Sequence, residues 1–270
     1  MQKLFAAIGL TLCLANSAMA DTPALRSLVT GDDSRGWEAV GRLDLGGGSF
    51  CTGALIAPDL VLTAAHCMFD AHTRDRLDPA RIEFRAGWRN GRAEAYRAVR
   101  RAVVHPSFVF EGVNGATRVR HDLALLELAR PIRDTRIVPF ATGARPRKGD
   151  EVGVVSYAHD RAEAPSLQKV CRVMARNRGV LVLSCNVDFG SSGAPVFAIR
   201  DGAAEIVSVV SAKSDWQGTP VALSTDLVAP LATLRAELAA GGGTLTPPAP
   251  ALNAVRVGTR HNTGAKFVKP

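Results

Sequence analysis

The chain has 270 residues, 47% of them hydrophobic and 21% charged, with a formal net charge of +8. That balance excludes a charge-dominated disordered polymer and suffices for a real core, in one large domain or two small ones sharing an interface. The positive excess suits contact with anionic lipid or polyanions, but aromatics are only 6% and do not interleave with the arginines, so a solvated basic surface is expected and no nucleic acid is implied as partner.

Residues 1–20 read as an export signal. Lys3 supplies the positive start, Leu4 to Leu14 is an apolar run too short to span a bilayer, and Ala18-Met19-Ala20 is a small-x-small cleavage site. A buried N-terminal helix is the weaker reading. Cys13 is not expected to carry a lipid, because bulky Leu12 stands where a small residue is wanted. Residues 21–36 are polar, with "TGDDSRG", and read as a lead-in segment outside the core.

From Trp37 the texture changes. "WEAVGRLDL", "FCTGALIA", "LVLTAA", "RIEFRAG", "AYRAVRRAVV" and "DLALLEL" are short β-type runs broken by Gly, Pro and Asp. "EVGVVSY", "VLVLSC", "APVFAI" and "EIVSVVSA" continue the series, which predicts an all-β chain of barrels or a sandwich rather than βαβ units. Leu227 to Ala240 then switches to helical spacing. Leu231, Leu234 and Leu238 form one stripe, and Pro230 fits a first turn that begins near Val228. Residues 241–270 carry Arg256, Arg260, Lys266 and Lys269 with no acid, and read as a flexible basic tail suited to weak contact with an anionic surface. No internal repeat is visible.

Export implies an oxidising compartment, and four cysteines remain after the signal: Cys51, Cys67, Cys171 and Cys185. Four cysteines permit three pairings. Neighbours are the expected ones, Cys51 with Cys67 and Cys171 with Cys185, each closing a loop of about 15 residues and contributing about 3 kcal/mol in the chain-entropy account. The rival, a zinc site built on His66 and the thiols, has a ligand spacing that fits no common pattern, so no metal is expected.

Three clusters carry chemistry. "LTAAHC" sets His66 directly before Cys67, "HDLALLEL" opens an apolar strand with Asp122, and "DFGSSGAPVF" holds Ser192 between glycines. Each alone has a plain explanation as a packed histidine, a strand cap and a flexible loop. Together they are the parts of nucleophilic hydrolysis by serine. A hydroxyl needs an imidazole to take its proton, the imidazole needs a carboxylate on its other nitrogen, and the oxyanion needs fixed N–H donors. Gly190 can aim an N–H inward, and Gly193 lets the chain turn without a side-chain clash.

"CTGALIAPDLVLTAAHC", "HDLALLEL" and "GSSGAPVF" resemble the three signature blocks of the trypsin-like serine proteases, specifically bacterial exported members. The resemblance implies two packed six-stranded antiparallel β-barrels, here residues 37–137 and 138–240, the second ending in the helix. It implies His66 as general base and acid, Asp122 as its orienting carboxylate and Ser192 as nucleophile. Backbone N–H groups of Gly190 and Ser192 would form the oxyanion hole. It implies protein or peptide substrates, no cofactor, a monomer, and a secreted or periplasmic location.

Two positions depart from the family pattern. Ser191 stands where many members carry an acid that pairs with a freshly cut N-terminus, so that switch is not expected. The pocket floor counts to Asn186, with Asp188 two positions off, and "VVSAKS" resembles the strand that lines the pocket, with Ser211 on it. Glu-specific relatives carry a histidine where Val210 stands. A pseudo-protease that keeps the fold as a binding protein is the alternative, opposed by the complete triad. An esterase of the α/β-hydrolase type is opposed because Ser192 leads into another strand rather than a helix.

Overall fold

The structure is a computed structural model that describes residues 25–110 and 115–245. The export-signal segment 1–20 and the tail beyond Leu245 lie outside the described residues. The first set of strands is β1 (Val40–Asp44), β2 (Phe50–Ala57), β3 (Leu60–Thr63), β4 (Glu83–Ala86), β5 (Ala95–Val104) and β6 (Ala124–Leu128); β2, β3 and β6 are largely buried, while β4 alternates between the core and the surface. They lie in the order β5-β4-β1-β2-β3-β6, and β6 pairs back onto β5, closing a six-stranded antiparallel barrel.

The second set is β7 (Glu151–Ala158), β8 (Arg161–Asn177), β9 (Val180–Leu183), β10 (Pro195–Arg200), β11 (Ala203–Trp216) and β12 (Thr219–Asp226). Their order is β8-β9-β12-β11-β10-β7, and β7 pairs back onto β8. Closure leaves these two barrels with few free edges, which is how all-β folds suppress edge-to-edge association.

Three apolar clusters follow from this arrangement. One fills the first barrel around Leu43, Leu55 and Phe84, and one fills the second around Val154, Leu183 and Val207. The third lies between them and draws on both, with Phe50 and Leu62 facing Tyr157 and Phe197. Trp37, Phe140 and Phe197 meet at its edge, with ring centroids 4.7 to 6.0 Å apart. Polar links cross the same seam: Trp88 Nε1 donates to the Ala162 carbonyl at 3.1 Å, and the Tyr157 hydroxyl donates to the Trp88 carbonyl at 2.9 Å.

Helix α1 (Gly115–Arg120) packs against β9 and β12 just ahead of Asp122. Helix α2 (Val228–Ala239) starts where Pro230 and the leucine spacing predict; Leu231 and Leu234 are buried, and Leu238 packs on the same cluster. The lead-in segment differs from the reading of its polarity. Arg26 and Ser27 pair with Leu167 and Ser166 of β8, and Leu28 is fully buried between the barrels. The start of the tail also differs, since Thr244 and Leu245 pair with Ala102 and Arg101 of β5. Both segments find edges that only the assembled barrels present, so local composition carries no trace of them.

Candidate active site

Strand β3 ends at Thr63 and the chain tightens into a 3-10 turn, Ala65–Met68, that carries His66. The Cys51–Cys67 disulfide ties this turn to β2, and Cys171–Cys185 ties β8 to the segment after β9. Donor atoms of Cys51, His66 and Cys67 lie within 4.8 Å of one another, but both sulfurs are spent in the disulfide.

Asp122 is fully buried at the entry to β6. Its Oδ2 lies 2.7 Å from His66 Nδ1, and its Oδ1 accepts the His66 backbone N–H at 2.8 Å. The Ser211 hydroxyl donates to Oδ2 as well. Burial alone would push this carboxyl up. The facing imidazole, with the hydrogen bonds from His66 and Ser211, instead holds it below the ordinary carboxylate range. An ionised Asp122 holds the His66 tautomer that leaves Nε2 free to accept a proton.

Ser192 and His66 line one cleft of about 640 Å³, bordered by both barrels. The loop carrying Ser192 is clamped on its far side. Thr52 of β2 donates its N–H to the Ser192 carbonyl at 2.8 Å and its hydroxyl to the Gly190 carbonyl at 2.9 Å. The same hydroxyl accepts the Tyr157 N–H at 3.1 Å. Two glycines make the approach feasible. Gly190 has φ +95°, and a Cβ there would fall 2.4 Å from the Phe50 ring; Gly193 has φ +79°, and a Cβ would fall 2.1 Å from Thr63 Oγ1. With the carbonyls turned into this clamp, the Gly190 and Ser192 N–H groups have no acceptor among the described residues.

Ser191 is fully buried. Its hydroxyl donates to the Tyr157 carbonyl at 3.1 Å and lies 3.3 Å from Ser156 Oγ. It accepts the Asp188 N–H at 3.3 Å. A neutral hydroxyl is thus satisfied where an acid would need a cation.

Two sequence expectations change. Asn186 does not line the cleft: it is exposed, and its backbone N–H donates to Gln168 Oε1 at 2.7 Å. In the short connection from Cys185 to Gly190, Val187 and Asp188 border the cleft. Ser211 does border the cleft, but its hydroxyl is committed to Asp122. The β11–β12 register slips between Val210 and Ala212, and this bulge re-aims the Ser211 side chain. Nothing in "VVSAKS" announces a bulge, which exists only against β12.

Sequence reading also missed Lys213, whose Nζ lies 3.7 Å from Asp188 Oδ1, with both residues bordering the cleft. Phe189 stands 80% exposed beside them. His159 packs edge-on beside Phe189, with centroids 6.4 Å apart, and stacks on Phe50 with centroids 5.1 Å apart.

This fold and these clustered groups define a chymotrypsin-type hydrolase scaffold. The trypsin-like peptidase domain family matches residues 51–204, and the chain belongs to that family. It is similar to a trypsin of Sarcophaga bullata, 38% identical over 92 residues, which is 34% of this chain and 32% of that one. It is similar to a trypsin of Phaedon cochleariae, 33% identical over 84 residues, which is 31% of this chain and 29% of that one. The chain thus spans about a third of the length of these curated relatives. A solved structure of a Glu endopeptidase shares the fold, with TM-score 0.66 and 18% identity over 82% of this chain and 98% of the other.

Proposed function

We propose that the protein is a serine endopeptidase that cleaves protein or peptide substrates through an acyl-enzyme on Ser192. The observation that carries this reading is the His66–Asp122 pair, 2.7 Å apart, opening into the cleft that also holds Ser192. His66 takes the Ser192 proton as the hydroxyl attacks the substrate carbonyl. The Gly190 and Ser192 N–H groups receive the oxyanion. His66 then returns the proton to the leaving amine, and water attacks the acyl group by the same route. Asp122 stays ionised throughout and stabilises the imidazolium. Losing one oxyanion donor of this kind costs about 100- to 1,000-fold in turnover.

We infer export to an oxidising compartment, with residues 1–20 as the signal and the two disulfides as support. No helix among the described residues is long and apolar enough to cross a membrane. The Ser191 contacts support a site that forms without an N-terminal ion pair.

The test is labelling of the purified chain with a serine-reactive fluorophosphonate. The expected adduct is on Ser192 and is lost in His66→Ala. Folded, disulfide-bonded protein that takes no label would replace this reading with a binding protein on the same scaffold.

A further inference from the structure

Away from the cleft, a second cavity of about 340 Å³ opens on the second barrel. Its wall holds Arg145, Lys148, Arg176 and Arg178 over a floor of Val180 and Leu181, and no acidic residue lines it. Among the described residues, the side chains of Lys148, Arg176 and Arg178 have no acid partner. Only Arg145 has one, Asp226 at the end of β12, and that carboxylate is 8% exposed behind it. Three uncompensated like charges around one concavity, with the paired Arg145 beside them, raise each other's energy, and the low-dielectric wall concentrates the field.

The backbone supplies a second, independent observation. Asn177 pairs with Val180, so β8 and β9 are joined by the two-residue turn Arg178–Gly179. Both residues have positive φ, 43° for Arg178 and 89° for Gly179. Asn, Asp or Gly fits such a turn, and an arginine there costs on the order of 1 kcal/mol in backbone strain. The strain sets a cation at the rim of the basic cavity. Asp226 adds a third element. Its Oδ2 holds Arg145 while Oδ1 is buried without a partner among the described residues, so one arginine of the cavity wall is anchored in place.

We propose that this cavity is a binding site for a compact, multiply charged oxyanion: phosphate or sulfate groups, free or carried as esters. The guanidinium forks of Arg145, Arg176 and Arg178 supply planar, paired donors matched to such oxygens, and Lys148 adds a point charge. The volume admits two linked oxyanion groups. Concavity favours a compact group over a flat surface, which separates this site from the basic tail suggested by the sequence. The cavity's turn is packed near the segment that carries Asp122: Arg120, two residues before it, lies over Gly179, and Thr225, beside Asp226, donates to the Val119 carbonyl at 2.7 Å.

The test is calorimetric titration of the full chain with inorganic pyrophosphate and, separately, with sucrose octasulfate, at low and at physiological salt. Saturable binding that weakens with salt is expected for at least one probe, and which one binds tells phosphate from sulfate ester. Arg176→Gln with Arg178→Asn should weaken it about tenfold or more, since removing one charge-assisted hydrogen bond lowers affinity by about a factor of ten. Asn suits the turn, so folding is retained, and a thermal midpoint that does not fall checks it. Arg92→Gln with Arg133→Gln removes the same charge elsewhere and should leave binding within about twofold. Absence of saturable binding, or equal weakening in the two double variants, overturns the site. Neither result depends on peptidase activity.

Discussion

Thr52 shows how one hydroxyl can hold a distant loop. It accepts the Tyr157 N–H and donates to the Gly190 carbonyl, so it fixes the loop proposed to supply the oxyanion donors. Thr52→Val keeps the shape and strands two buried backbone groups, each costing about 1–3 kcal/mol. Turnover should fall about tenfold with KM little changed, because the loss is felt where charge develops; a shift in KM alone would remove Thr52 from this role. Lys213 stands where it can act on selectivity. Its proximity to Asp188 offsets one of the two carboxylates that border the cleft, Asp70 being the other, and so weakens the attraction for a substrate Arg or Lys. Lys213→Ala should raise cleavage after Arg and Lys roughly fivefold in a peptide library, the size of an exposed ion pair of about 1 kcal/mol. An unchanged profile would place Asp188 outside the subsite. His66, Asp122 and Ser192 are legible in the sequence because their types sit in a recognisable order. Thr52 and Lys213 are not, since their roles depend on partners more than 20 positions away in the chain.

Among the elements, the strand ends around β5 and β6 carry a pH response. His105 follows β5 and His121 precedes Asp122, and their rings stack with centroids 5.0 Å apart at 15°. Burial, then the facing His121 ring, lowers the affinity of His105 for a proton; burial, then Arg120, does the same for His121. The unfolded chain therefore binds more protons than the folded one below the ordinary histidine range. Stability is complete above about pH 6.5 and declines as pH falls through and below it. Asp122 adds a second loss once pH drops below the ordinary carboxylate range. In urea titrations the midpoint should fall between pH 7 and pH 5, and His105→Phe, which keeps a stacked ring, should make that fall smaller. An equal fall in the variant would exclude the pair as its source. Strand and helix positions are largely readable, because alternation and leucine spacing are local signals. The bulge at Ser211 and the pairings of Arg26–Ser27 and Thr244–Leu245 are not, because each is a property of two segments at once.

At the scale of the molecule, each barrel is fastened by chain that belongs to the other end. The lead-in strand Arg26–Ser27 joins β8 of the second barrel, while α2 and Thr244–Leu245, which follow the second barrel, lie on β5 and β6 of the first. The intervening apolar cluster, with Phe50 and Leu62 against Tyr157 and Phe197, makes the cleft a product of both halves. The motif order leads to an expectation of two six-stranded barrels, and the closures of β6 on β5 and of β7 on β8 agree with that. The crossed ends are invisible to a reading that proceeds from one residue to the next. They impose a timetable on the nascent chain. Arg26–Ser27 must wait for a partner about 140 residues later in the chain, and β5 receives Thr244–Leu245 only after every strand of both barrels has been made. A cleft wired this way is complete only once segments from both sides of the two barrels are in place.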